Sequence, residues 1–190
     1  MSLALSVRVR KMMTALPHPD TARIHLHCAI ITVSDTRDLD SDRSGQLIGQ
    51  YLNHIDHIVD SYQILKDDPE LIRSQVEQLS LDPTLAVIIL NGGTGIAPRD
   101  TTFDAIAGLL EKTLPGFGEI FRFLCYQEIG SRAIASRAVA GVYRNKLIFS
   151  LPGSSNAVKL ALENLILPEL SHLVTQINPD YAQSAQNDEA

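Results

Sequence analysis

Apolar residues along this chain fall into two alternating patterns, short continuous runs and runs spaced three or four apart, and their order predicts the architecture. Cys28 to Ser34 (CAIITVS) is a continuous, β-branched run of the kind found in strands covered on both faces, and it ends in the polar stretch SDTRDLDSDRSG. Leu47, Ile48, Tyr51, Leu52 and Ile55 then recur at helical spacing, so Ser44 to about Ile55 reads as an amphipathic helix. His57 to Leu65 is a weaker strand. Asp68 at an N-cap and Pro69 at the first helical position open a second helix with Leu71, Ile72, Val76 and Leu79 on one face. Leu85 to Asn91 (LAVIILN) is the strongest buried strand, and it leaves through Gly92-Gly93-Thr94-Gly95. Thr101 or Thr102 caps a third helix carrying Phe103, Ile106, Ala107 and Leu110. PGFGEIFRFLCYQEIG, from Pro115, predicts a loop entering a helix. Arg137 to Tyr143 and Lys146 to Gly153 pair about Arg144-Asn145 as an antiparallel hairpin. A final helix begins near Ser154 or Ser155, with Val158, Leu160, Ala161, Leu165 and Leu167 as its apolar positions, and Pro168 kinks or restarts it.

Strands alternating with helices predict an α/β domain, a three-layer αβα sandwich with a mostly parallel sheet plus a β-hairpin. The domain spans residues 25–177, between a flexible N-terminal extension (1–24) and a polar, acidic, disordered tail (178–190). A chain of 190 residues with 45% hydrophobic composition has enough apolar material for one core. Its 16 basic and 22 acidic residues give a net charge of −6, which argues against a general attraction to nucleic acid or an anionic membrane. Any phosphate-bearing ligand needs local help. No segment approaches the roughly 18 consecutive apolar residues that span a bilayer. Cys28 and Cys125 sit in separate apolar segments and read as buried free thiols, which fits a reducing, cytoplasmic setting.

In sheets of this kind ligands bind at the carboxyl ends of the strands, where strand order switches. Those ends carry Ser34 and Asp35, then Asp67 and Asp68, then Gly92 to Gly95, then Leu151 to Ser155 (LPGSS). Gly92, Gly93 and Gly95 permit positive φ and close backbone approach, so successive N–H groups can form an anion nest; a plain tight turn reads the same letters. The run lacks the Gly-Lys-Ser/Thr of a P-loop and the spacing of a dinucleotide fold. LPGSS ahead of a helix suits phosphate or an ordinary serine cap. Asp67 and Asp100 are candidates to hold a hydrated Mg²⁺ that bridges phosphates, although either acid alone equally suits a solvated loop or a helix cap. Two carboxylates beside two phosphate nests fit phosphoryl or nucleotidyl transfer better than anion storage. His25 and His27 lack partners for a metal site, and His54 and His57 read as residues favouring the first helix's dipole. No nucleophile has an evident base partner, so covalent catalysis is unsupported.

TVSD (Thr32 to Asp35), GGTG followed by Arg99-Asp100, PGFGEIFR (Pro115 to Arg122), SRAVAGV (Ser136 to Val142) and LPGS (Leu151 to Ser154) occur in order over about 150 residues. Together they resemble the MoaB/MogA molybdopterin-binding family of molybdenum cofactor biosynthesis, closest to its B-type members. The resemblance implies a homotrimer or a dimer of trimers, working with other proteins of that pathway. It implies binding of molybdopterin, a pyranopterin dithiolene with a terminal phosphate, and transfer of AMP to that phosphate from Mg-ATP with release of pyrophosphate. By position it assigns Gly92, Gly93, Thr94 and Gly95 to the phosphate site, Ser34, Asp35, Ser154 and Ser155 to the cleft, and Asp67 and Asp100 to Mg²⁺ and catalysis. Asn91 stands where the family often has threonine, and Ser154-Ser155 where it often has Ser-Pro. Asp68 is the competing residue for the first acid. The expected activity is molybdopterin adenylyltransferase; the alternative is a non-catalytic molybdopterin-binding or scaffold protein of the same pathway.

Overall fold

Six strands run through the described residues: β1 (His27–Val33), β2 (Ile58–Leu65), β3 (Leu85–Asn91), β4 (Lys112–Thr113), β5 (Val139–Tyr143) and β6 (Lys146–Leu151). They form one sheet in the order β2-β1-β3-β6-β5-β4 in this computed structural model, which describes residues 24–181. β2, β1, β3 and β6 are parallel; at one edge β5 runs antiparallel to β6 and β4 antiparallel to β5. Every residue of β3 and all but the first of β1 are buried, as continuous apolar runs require when helices cover both faces.

The helices are α1 (Arg43–His54), α2 (Pro69–Leu79), α3 (Thr102–Leu109), α4 (Pro115–Ile129), α5 (Ser155–Ala161) and α6 (Leu167–Ile177). Strand alternation divides the core between them. Cys28, Ile30, Val87, Ile89 and Phe149 pack against Ile48, Leu52, Phe121 and the last helices. Ala29, Ile31, Ile88, Leu90 and Ile148 face Ile72, Val76, Ala105 and Ile106 on the opposite side. Each of these large aliphatic side chains contributes on the order of 2 kcal/mol by leaving water. The result is the expected three-layer αβα sandwich.

Local signals placed most boundaries. Asp68 caps α2 by accepting from the Glu70 and Leu71 amides, and Pro69 follows at the first position. Arg144 and Asn145 both take positive φ (47° and 60°), which gives the two-residue β5–β6 turn a twist matching its strands. Pro168 restarts the last helix: a π turn over Leu162–Ile166 intervenes before α6, accommodating a residue that has no N–H to donate.

Tertiary contacts displaced other expectations. α4 begins at Pro115, a residue suited to the first turn, so PGFG is helix and not loop; Gly118 within it lies where a Cβ would meet the Ala138 carbonyl oxygen at 2.8 Å. The edge strand β4 was not anticipated; it has two residues, paired with Gly141 and Val142. His57 is no dipole partner of α1: it lies beyond the helix, is buried, and accepts the Leu26 N–H at its Nδ1 (3.3 Å). Burial, then His25, lower its pKa. Cys28 and Cys125 are buried free thiols, and burial, with a smaller contribution from Asp60, pushes the Cys28 thiol up to about 12. Of the terminal segments, residues 1–23 and 182–190 lie outside the described residues; Tyr181 still donates to the Thr84 carbonyl (3.2 Å).

Lys146 is 7% exposed and donates to the Asp82 and Leu85 carbonyls at 2.6 Å each, tying the entry of β3 to β6. Lys146→Met keeps the apolar stem and strands both acceptors, so urea titration should show a loss of about 1–3 kcal/mol. An unchanged midpoint would show that water satisfies both carbonyls.

Candidate functional site

Chain order along the sheet switches between β1 and β3, so the segments leaving these two strands diverge and open a crevice at their carboxyl ends. A cleft of about 420 Å³ occupies it, lined by Ser34 and Arg37 after β1, Gly92 to Gly95 and Asp100 after β3, Arg132 and Ser136 before β5, and Pro152 and Gly153 after β6. Gly153 reaches the turn because neither it nor Gly92 carries a side chain: a Cβ on Gly153 would lie 3.1 Å from the Gly92 Cα.

The turn itself is shaped by two left-handed residues, Gly92 (φ 101°) and Gly93 (φ 60°). A side chain at Gly92 would collide with the Val33 carbonyl, and one at Gly93 with Thr102 and Asp67. The Gly92 N–H donates to the Leu151 carbonyl (3.0 Å), which closes the start of the turn onto β6. The next three carbonyls are all occupied. Gly93 O accepts from the Thr102 amide (2.9 Å), Thr94 O from Arg137 Nε (2.9 Å) and Gly95 O from Arg137 Nη2 (2.8 Å). The N–H groups of Gly93, Thr94 and Gly95 meet no protein acceptor among the described residues. Successive free amides beside satisfied carbonyls form a concave, electropositive backbone patch.

Two acids bracket this turn. Asp67 Oδ1 accepts from the Thr101 amide (3.0 Å) and hydroxyl (2.8 Å), while its Oδ2 packs against Gly93. Asp100 Oδ2 accepts from the Ala97 amide (2.8 Å) and packs against Gly95. Asp100 lines the cleft; Asp67 lies behind the turn and does not. Asp68 points elsewhere, into its helix cap. Asp35 is exposed and accepts the Asp67 N–H (3.3 Å) without lining the cleft. Ser34 lines it and folds the following loop by accepting from Thr36 (3.3 Å) and Arg37 (3.2 Å). Ser154 and Ser155 do not line it: Ser154 Oγ is turned onto the Ala157 amide (3.3 Å) as the α5 cap, leaving Pro152 and Gly153 at the wall.

Below the cleft lies a buried polar network. Asp42, fully buried, caps α1 by accepting from the Gly45 amide (3.1 Å) and also accepts from Tyr62 Oη (2.6 Å). Arg37 Nη1 donates to Ser44 Oγ (2.7 Å) and Asp42 Oδ1 (3.3 Å), and Nη2 to the Gly153 carbonyl (3.1 Å). Ser44 donates to Asn91 Oδ1 (2.7 Å), and Asn91 Nδ2 to Thr32 Oγ1 (2.7 Å). Asn91 therefore joins β1, β3 and α1 from inside. Burial opposes the Asp42 charge, but bonds from Thr32, Tyr62, Gly45 and Ser44 outweigh it and hold the carboxyl below its ordinary value. Burial and the Asp42 charge push the Tyr62 phenol up.

Sequence reasoning passed over Arg37, Arg132 and Arg137 as site residues. Arg37 had a readable signal, a cation three residues beyond a buried strand at a ligand-binding edge. Arg137 had none besides its place in SRAVAGV, since its partners are 42 and 43 residues away.

A family model described as "Probable molybdopterin binding domain" matches residues 29–172. The Staphylococcus epidermidis protein named molybdenum cofactor biosynthesis protein B is 53% identical over 161 residues, covering 82% of this chain and 90% of its own. A crystal structure of a molybdenum cofactor biosynthesis protein B superimposes with a TM-score of 0.81 at 46% identity, covering 83% of this chain and 99% of that one. The tungsten cofactor synthesizing protein MoaB from Pyrococcus furiosus gives 0.73 at 35% identity, covering 80% and 97%.

The depressed Asp42 carboxyl sets a pH dependence. Its contribution to stability is complete above about pH 3.9, the ordinary aspartate value, and fades as pH falls through the lower folded value. Asp42→Asn should lower the unfolding free energy at pH 7 by about 2 kcal/mol. Denaturant titrations of the two chains should converge below about pH 4; a gap that stays constant would show that the charge is not what matters.

Proposed function

This chain belongs to the molybdopterin-binding family of molybdenum cofactor biosynthesis proteins, and on that premise we propose that it adenylylates molybdopterin. An oxygen of the pterin's terminal phosphate attacks the α-phosphorus of Mg-ATP, the bond between the α-phosphorus and its bridging oxygen breaks, and pyrophosphate departs. The observation that carries this reading is the turn at Gly93, Thr94 and Gly95, where carbonyls are bonded and amides are left free at a cleft wall. Such amides suit phosphate oxygens and need no rearrangement as charge develops. Arg132 adds positive charge to the cleft of a chain whose net charge is −6, and Arg37, paired with the buried Asp42, also lines it. The two bound reactants need alignment above all, which the enclosing loops of four strands provide.

Asp67 Oδ2 and Asp100 Oδ1 carry no protein hydrogen bond among the described residues. Asp100, with a free oxygen at the cleft wall, suits Mg²⁺, which takes one or two carboxylates and completes its shell with substrate phosphates and water, and Asp67, behind the turn, is the candidate second ligand. Among the described residues no group of three or more His, Cys, Asp or Glu offers an all-protein cage. Mg²⁺ bound with ATP screens the polyphosphate charge and stabilises the pentavalent centre. Asp67 in turn holds Thr101, and so the start of α3, against the turn. No helix among the described residues is long and apolar enough to cross a membrane.

Assembly belongs to the same proposal. Ile120, Phe123, Tyr126 and Ile129 are 50%, 59%, 60% and 51% exposed at three-residue spacing along α4, with Ile134 at 85% just beyond. Large apolar side chains this exposed on one helix suit a protein partner, and a homotrimer or dimer of trimers would cover them with further copies of this chain.

Purified chain supplied with molybdopterin, Mg²⁺ and ATP should release pyrophosphate; tight pterin binding without release would establish the non-catalytic binder instead. Asp100→Asn should abolish turnover while leaving pterin binding in place. Asp68→Asn should only weaken the α2 cap, by about 1 kcal/mol or less, and equal turnover in the Asp100 variant would remove that carboxylate from the mechanism. Light scattering should show the parent chain as a trimer or hexamer and Phe123→Glu as a monomer; a parent chain already monomeric at micromolar concentration overturns the assembly.

A further inference from the structure

We propose that Arg137 is a positioning residue that aims the amides of the glycine turn at the cleft by holding its carbonyls from the opposite side. Arg137 lies between the cleft wall at Ser136 and strand β5, 26% exposed, and its guanidinium uses two edges. One edge donates from Nε to Thr94 O (2.9 Å) and from Nη2 to Gly95 O (2.8 Å). The other meets the Asp104 carboxylate through Nη1 (3.2 Å) and Nη2 (3.0 Å), and the plane stacks on the Phe103 ring at 4.4 Å. Phe103 and Asp104 belong to the first turn of α3, so the guanidinium is clamped by the helix that follows the glycine turn.

Peptide planarity turns this clamp into a constraint on the amides. A trans peptide sets C=O and N–H on opposite sides. Fixing Thr94 O therefore fixes the Gly95 N–H, fixing Gly95 O fixes the Ile96 N–H, and the Thr102 amide on Gly93 O does the same for the Thr94 N–H. The turn is a partition. Arg137 lines a second hollow, of about 490 Å³, which shares Gly95 and Asp100 with the cleft, while Arg137 itself is absent from the cleft lining. Arg137 thus acts on the anion through the backbone without touching it. Glycines have the least intrinsic preference for one peptide orientation, so a turn built from them needs such an external hold. Only a planar fork serves two successive carbonyls and a carboxylate together; a lysine ammonium keeps the charge and loses that geometry.

This inference rests on the reading of the turn as a phosphate site, and the test separates the two. Inorganic pyrophosphate binding is measured by calorimetry at several salt concentrations, and amide ¹H–¹⁵N spectra are recorded, for the parent chain, Arg137→Lys and Asp104→Asn. In the parent, pyrophosphate should move the Thr94 and Gly95 resonances. Arg137→Lys should bind at least about ten-fold more weakly, with the Gly95 resonance displaced before ligand is added, that of Thr94 held in place by the Thr102 amide on Gly93 O, and the salt dependence unaltered. Asp104→Asn, which keeps the carbonyl bonds but loosens the clamp, should weaken binding about three-fold, and decides the matter if Arg137→Lys does not fold. Parent-like pyrophosphate affinity in Arg137→Lys, or in Asp104→Asn where only that variant folds, overturns the role of Arg137 and leaves the phosphate site standing. A parent chain that binds no pyrophosphate, or binds it without moving those amides, overturns both. Pyrophosphate binding with the expected loss in the variants, but no adenylyl transfer, upholds Arg137 and removes only the enzymatic reading.

Discussion

A planar peptide group cannot present its carbonyl to one side without presenting its amide to the other, and at Gly93, Thr94 and Gly95 every carbonyl is already taken. The site depends on this constraint. Glycine is required at Gly92 and Gly93 because the backbone enters the left-handed region there, and because Val33, Thr102 and Asp67 occupy the space a side chain would need. The same crowding puts the Asp67 and Asp100 carboxylates directly against the turn, at Gly93 and Gly95. The Asp67 carboxylate is thereby kept from the backbone donors by the thickness of one turn, while Asp100 shares the cleft wall with them.

The turn would not hold its shape on a loose foundation. Beneath it, Asp42, Arg37, Ser44, Asn91, Thr32 and Tyr62 bond one another across β1, β2, β3, the start of α1 and the segment after β6. Buried polar groups cost stability unless satisfied, and a satisfied network permits one arrangement where apolar packing permits several. Arg37 belongs to both levels: it completes the network below and faces the cleft above. Thr102 Oγ1 and Ser150 Oγ are the two buried side-chain atoms among the described residues without a partner; Thr102 still contributes through its amide, which holds Gly93 O.

The layered fold was legible because its signals are local or periodic. Continuous apolar runs marked β1 and β3, Asp68-Pro69 marked the start of α2, and Arg144-Asn145 marked the hairpin turn. The boundaries that escaped were set by contacts distant in sequence. Gly118 in α4 leaves room for the Ala138 carbonyl just ahead of β5, and β4 exists only because β5 offers it an edge. His57 looked like a helix-end charge, yet Leu26 and the core made it a buried acceptor.

Of the site, the residue types at the strand ends were set by the sequence itself: glycines where the backbone must approach closely, acids after β2 and β3, small polar residues after β1 and β6. Fold class follows from the same letters, because hydrophobic periodicity and capping chemistry act over a few residues. Tertiary structure alone decided which of them share a cavity. It chose Asp67 over Asp68 as the neighbour of the turn, replaced Ser154 and Ser155 at the cleft wall with Pro152 and Gly153, and brought in Arg37, Arg132 and Arg137. The reason is one of direction. A side chain's bearing is fixed by what packs against it, and here those partners stand far along the chain: Thr101 is 34 residues from Asp67, and Thr94 is 43 from Arg137.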